Sequence, residues 1–167
     1  MEVEISVQDC CAESSPSTGI EEEIWQEWFS IWLEKLQPDI SPSQAYEVGL
    51  RLTDDAEIQV LNSQYRQQDK PTDVLAFAAL EVDCPQPDEL LLSLPLYLGD
   101  IVISVDTAFR QAQQQGHPLQ TELAWLAAHG LLHLLGWDHP DDDSLNRMLH
   151  QQATLLATIG LMDVQTG

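Results

Sequence analysis

The sequence predicts a single α+β domain over residues 1–167, with about four short strands packed against about five helices. Three observations carry this. Stretches of period two and of period 3.6 are interleaved, without the strict alternation of a βαβ protein. The chain has 167 residues, 44% of them hydrophobic, which suits one ordinary core. No internal repeat occurs, and no apolar run reaches the roughly 18 residues of a membrane span.

The elements follow in order. VEISVQ (3–8) alternates apolar and polar residues as a strand does, and SSPSTG (14–19) is a loop by composition. Residues 21–36 place Ile24, Trp28, Ile31, Trp32 and Leu36 at helical spacing, with Glu21, Glu22 and Glu23 at the positive end of the dipole. Pro38 and Pro42 punctuate its end. YEVGLRL (46–52) is a second strand, after which Thr53 is the predicted N-cap of a helix carrying Ile58, Leu61 and Tyr65. Asp54, Asp55 and Glu57 fit that helix's first turn. RQQDKPT (66–72) is a loop, and DVLAFAAL (73–80), with few polar interruptions, reads as a central strand.

Residues 83–95 hold three prolines and read as an excursion. LGDIVISV (98–105) is a fourth strand, and a helix runs from Asp106 to about Gln115 before a break at Gly116-His117-Pro118. Leu119 to Leu135 is the most apolar helical stretch. Residues 140–160 close the chain as an amphipathic helix, with Pro140 near its first position and Asp141–Asp143 facing the dipole.

Charge is the unusual feature. The 28 acidic and 6 basic side chains give a net charge of −22. Such a field repels polyanions and argues against non-specific nucleic-acid binding, whose affinity comes from Lys and Arg displacing counterions. A nucleic-acid function would need a metal, a local cluster of cations or a partner that supplies affinity. Cys10, Cys11 and Cys84 form neither a disulfide framework nor a C-x-x-C spacing and fit a reducing compartment as incidental thiols. The acidic start, MEVEISVQDCC, lacks the basic n-region of a signal peptide, so the whole chain is expected in the cytoplasm.

The chemistry concentrates in HGLLHLLGWDH (129–139). Helical residues four apart lie about 40° apart around the axis and about 6 Å apart along it. His129 and His133 therefore project as neighbours, while Leu131, Leu132, Leu134 and Leu135 occupy the other faces. Gly136 is placed to end the helix in a left-handed turn, from which His139 can return to the same ion. Three neutral imidazoles suit one zinc ion and leave a fourth position for water, the arrangement of a catalytic site.

A lone histidine on an apolar helix is ordinarily a core or edge residue; three at this spacing, with a glycine at the turn, favour the metal site. His117 and His150 lack the spacing and read as surface residues. Peptidases of the H-E-x-x-H kind carry a glutamate after the first histidine. Here that position is Gly130, which points to some other hydrolysis.

HGLLHLLGWDH, with YRQQDKPTDVLAF (65–77) and LGDIVIS (98–104), resembles the YbeY family of bacterial metal-dependent endoribonucleases. The family signature is H-G-x-L-H-L-x-G-aromatic-D-H, and the resemblance covers roughly residues 3–8 and 45–160. Trp137 stands where tyrosine is usual, Ala76 where serine is, and Ala78 where proline is. The resemblance implies a zincin-like α+β fold with a small mixed sheet. It implies His129, His133 and His139 as ligands of one zinc ion, and a functional role for Arg66. It further implies single-strand-directed cleavage of ribosomal RNA precursors, at the 16S 3′ end, in ribosome maturation. Small-subunit particles or ribosome-associated proteins would be the partners, with neither DNA nor a membrane involved.

In the expected mechanism, zinc-bound water attacks the phosphodiester and Arg66 binds two phosphate oxygens of the transition state. By residue type alone, Arg66 could equally be a solvated cation at a helix end; the resemblance selects the functional role. Asp138 is a candidate proton shuttle or an acceptor behind the last ligand, or else a cap of the next helix. Asp73 and Asp100 belong to the shared motifs but could simply fix turns. Arg66 and Lys70, two of six cations, predict a local positive spot that admits one RNA strand, with a protein partner delivering it. Two other functions stay open: a peptidase-like zinc hydrolase, against which Gly130 speaks, and a non-enzymatic ribosome-assembly factor stapled by a structural zinc.

Overall fold

The computed structural model describes residues 2–10, 18–38, 45–79, 96–137 and 141–161. Among them are four strands, β1 (Glu2–Asp9), β2 (Ala45–Thr53), β3 (Val74–Ala78) and β4 (Leu96–Ser104). The described helices are α1 (Glu22–Leu36), α2 (Asp55–Arg66), α3 (Val105–Gln115), α4 (Leu119–Leu134) and α5 (Asp142–Thr158). The fold is α+β with a mixed sheet of order β1-β2-β4-β3. β1, β2 and β4 run parallel, and β3 is antiparallel to β4.

Alternation along the strands divides the sheet into two unlike faces. Ile5, Val48, Leu50, Leu52, Ile101 and Ile103 turn to one side and join side chains of α1, α3, α4 and α5 in the main core. Leu75 and Val102 turn to the other, where Ile58 of α2 covers them in a small second cluster edged by Leu61 and Phe77. Beyond α2 that second face is polar and open. A row of register partners, Ser6, Gly49, Asp100 and Phe77, crosses all four strands on it.

Several expectations shift. The apolar run at 73–80 is not central: β3 is the last strand of the order. Its apolar character reflects two covered faces, with Leu75 in the small cluster and Val74, Ala76 and Ala78 packed against the main core. Thr53 ends β2, opposite Ser104, and Asp54 is the N-cap of α2, its carboxylate accepting from the Glu57 amide at 2.9 Å. The buried stripe of α1 is Trp25, Trp28, Phe29, Trp32 and Leu33, with Ile24, Ile31 and Leu36 at its half-buried margin. α5 starts at Asp142 behind a capping box of Asp141 and Ser144, so Pro140 precedes the cap; Pro140 itself and residues 83–95 lie outside the described residues.

Two side-chain clusters fix helices against the sheet, one on each side of it. Asp55, at the start of α2, accepts from Ser104 Oγ and Thr107 Oγ1 at 2.6 Å each and from Arg110 Nη2 at 2.9 Å. Burial pushes its carboxyl pKa up, but the Ser104, Thr107 and Arg110 hydrogen bonds outweigh this and hold it below the usual range. On the far side, Gln26 of α1 accepts from Ile5 N at 2.9 Å and donates to Val3 O, capping the β1 edge. Among the described residues no helix is long and apolar enough to cross a membrane.

Candidate active-site groove

The histidine pair is set by how closely α4 approaches the sheet. A Cβ built on Gly130 would lie 2.7 Å from Cγ2 of the fully buried Ile101. Only glycine lets the helix backbone sit that near β4, and a glutamate there would drive into the core. The helix then ends in a Schellman turn. Gly136 adopts φ +96°, its amide donates to His133 O at 3.0 Å, and the Trp137 amide donates to Leu132 O at 2.9 Å.

His129 and His133 are half-buried on one face of α4, with their Nε2 atoms 3.0 Å apart. Two bonds of about 2.0–2.1 Å meeting at a tetrahedral angle would hold two nitrogens about 3.3 Å apart, so this separation suits a shared ion. Gln152 of α5 fixes the ring of His129. It is fully buried, its Nε2 donates to Trp125 O at 3.3 Å, and its Oε1 lies 3.1 Å from His129 Nδ1. With the amide nitrogen committed to a carbonyl, the oxygen accepts from Nδ1–H, which leaves the Nε2 lone pair for a metal. Sequence reasoning missed Gln152. The available signal was a polar residue at i+4 from Met148 on the core stripe that continues to Leu155 and Leu156.

No group of three His, Cys, Asp or Glu side chains suited to a metal converges among the described residues. Asp138 and His139 lie outside them. Two of the three predicted ligands are therefore together, and the third position is undescribed.

The pair opens into a groove of about 1780 Å³ that wraps around β3 to the open face of the sheet. Its lining includes His129, His133 and Trp137 on one side and Tyr65, Arg66 and the Ser6–Gly49–Asp100–Phe77 row on the other. Arg66, the last residue of α2, is exposed into this space. Gln67 follows in the left-handed conformation, and Asn62 grips the returning loop by donating to Lys70 O at 2.9 Å.

Of the two cations expected near the metal, Arg66 is among the described lining residues of the groove and Lys70 is not. The charged groups that do line the groove are Arg51, Arg66, Glu57, Asp73 and Asp100. Glu57 clasps Arg51 in a two-pronged contact of 2.5 and 2.9 Å, and Gln8 accepts from it at 3.0 Å. That contact raises the arginine's pKa and lowers the glutamate's. Among the described lining residues, Arg66 is the cation not held by a carboxylate.

Asp73 fixes the entry to β3: its Oδ1 accepts from Val74 N at 2.7 Å and its Oδ2 from Gln111 at 3.3 Å. Asp100 stands over Gly49, where a Cβ would come within 2.1 Å of its Oδ1. Burial, and then the hydrogen bond to Asp100, pushes the Tyr97 phenol above its ordinary pKa. His117 is not a plain surface residue, since its Nε2 lies 2.6 Å from Oε2 of the buried Glu122; His150 is exposed.

A family model described as Endoribonuclease YbeY matches residues 11–160. The chain belongs to the YbeY family. An Endoribonuclease YbeY of Nostoc sp. is 59% identical over 96% of this chain and 92% of that protein. One from Trichodesmium erythraeum is 66% identical over 81% of this chain and 74% of its own length. Against the solution structure of TM1509 from Thermotoga maritima, 22% identical, the TM-score is 0.49 over 97% of this chain and 99% of that one. The YbeY motif residues Tyr65, Arg66, Phe77, Asp100, His129 and His133 all line one groove.

Proposed function

We propose that this chain is a zinc-dependent endoribonuclease, one domain over residues 1–167, that cuts single-stranded RNA in the cytoplasm. Its substrate is a ribosomal RNA precursor, cut at the 16S 3′ end within or beside small-subunit particles. The observation that carries the reading is the convergence of His129 and His133, with Nε2 atoms 3.0 Å apart, in the groove that Arg66 lines.

His129, His133 and, by the motif, His139 would hold the ion. An ion held there would supply the Lewis acidity that makes water a nucleophile near neutral pH. Gln152 keeps His129 in the tautomer that ligates through Nε2. Arg66 receives two oxygens of the phosphodiester and stabilises the charge that grows there, from its place on the groove wall at the end of α2. Asp138, next to His139, is the candidate group to move the proton.

A peptidase reading is disfavoured by the packing of Gly130 on Ile101, which excludes the glutamate base. The groove's described charges do not sum to a positive surface, which supports delivery of RNA by a ribosome-associated protein. The test is an assay of purified wild type and His133→Ala on single-stranded RNA and on peptides. RNA cleavage by the wild type alone is expected; peptide cleavage, or equal RNA cleavage by His133→Ala, would overturn the assignment.

A further inference from the structure

The inward stripe of α2 does not finish in the core. Ile58 is fully buried, Leu61 is half-buried, and Tyr65, one turn further on, is 62% exposed. The tyrosine ring instead overhangs β3, meeting Phe77 edge-on with centroids 5.0 Å apart and planes at 67°. Phe77 is itself anchored at the margin of the Ile58–Leu75–Val102 cluster, so it braces the ring from below. Both rings line the groove, next to Arg66 and across β3 from His129 and His133.

An exposed aromatic ring resting on a second ring at a cleft is a poor contribution to folding and a good surface for a planar partner. The same groove is a poor polyanion site, because Arg51 is neutralised by Glu57, and Asp73 and Asp100 share the wall. Affinity for a nucleic-acid strand must then come from something other than charge. Stacking answers this, since every base has a π-face and the interaction tolerates any sequence.

We propose that Tyr65, braced by Phe77, is a stacking platform for one nucleobase of a single-stranded RNA, beside the phosphate that Arg66 receives. The idea rests on the nuclease reading above and extends it. A base seated on Tyr65 pins the strand next to the histidine pair, and it requires an unpaired base, which a duplex cannot supply without unstacking. Single-strand preference would thus reside in this ring rather than in the metal site. The ring is exposed and distant from the main core, so its removal leaves the fold intact.

The test uses the full chain with a short single-stranded RNA, in wild type, Tyr65→Ala and Tyr65→Phe. Tyr65→Ala should raise KM about 10- to 100-fold with kcat and metal content retained, and Tyr65→Phe should restore KM. One abasic position, walked along the RNA, should reproduce the loss in wild type and add nothing to Tyr65→Ala. A KM within twofold of wild type for Tyr65→Ala, or no abasic position masked by it, would overturn the platform.

Binding of an oligonucleotide carrying 2-aminopurine gives a second readout that needs no cleavage. Stacking quenches its fluorescence with wild type and Tyr65→Phe, and not with Tyr65→Ala. If wild type cuts no RNA but this signal behaves as stated, the nuclease reading fails and the platform stands. If wild type cuts RNA and the signal ignores Tyr65, the platform alone fails.

Discussion

At the β1 edge of the sheet, the Gln26 amide donates to Val3 O and accepts from Ile5 N, standing in for a neighbouring strand. At the β3 edge no described strand pairs with the backbone, Asp73 Oδ1 accepts from Val74 N, and the strand borders the groove that the histidine pair and Arg66 line. An unpaired edge is an aggregation hazard that proteins ordinarily blunt. Here one edge is closed by a side chain of the packed helix layer, and the other borders the groove. The packed side of β3 contributes groups locked in place: Gly130 seated on Ile101, and His129 held by a buried Gln152. The open side contributes exposed groups, Tyr65 and Arg66, at the end of a helix.

This division predicts different failures on the two sides. The largest effect is expected on the open side. Arg66→Ala should lower kcat by about 100- to 1000-fold, as loss of a transition-state charge partner does, while zinc content and thermal stability stay at wild-type values. Metal analysis and steady-state kinetics on one preparation check this, and retained activity would remove Arg66 from the mechanism.

On the packed side, Gln152→Leu should weaken zinc affinity by about 10- to 100-fold through loss of the orienting acceptor. Gln152→Glu, which keeps that acceptor, should recover most of it; a competition titration with a chromophoric chelator reads both. Smaller again, Gly130→Ala should cost about 1–3 kcal/mol by pressing its methyl into Ile101, measured as a lowered Tm. An unchanged Tm would mean that α4 can retreat from β4 without penalty.

Much of this was legible in the sequence, for identifiable reasons. Helical period and glycine position alone brought His129 and His133 together and turned the chain at Gly136, because both are local geometry. The motif residues from 65 to 77 and 98 to 104 also indicated one site, since Tyr65, Arg66, Phe77 and Asp100 line the groove. What failed was non-local. β3 looked central because hydrophobicity reports covered faces and not paired edges.

The course of the loop at Lys70 was not legible either, because it depends on Asn62 holding the Lys70 carbonyl. The pairing of His117 with Glu122, and of Gln152 with His129, likewise depended on contacts that no periodicity encodes. Helical spacing groups Tyr65 with Ile58 and Leu61 and does not show that Tyr65 lies where that stripe leaves the core.

The central claim is that the ion belongs to the chemistry at the β3 edge and not to the stability of the packed layer. Chelation of the wild-type protein, followed by zinc re-addition, tests it most directly, with RNA cleavage and circular dichroism recorded on the same samples. Cleavage should disappear on chelation and return with zinc, while the helical signal is unchanged throughout. Cleavage that persists without metal, or a protein that unfolds when the metal is removed, would contradict the account.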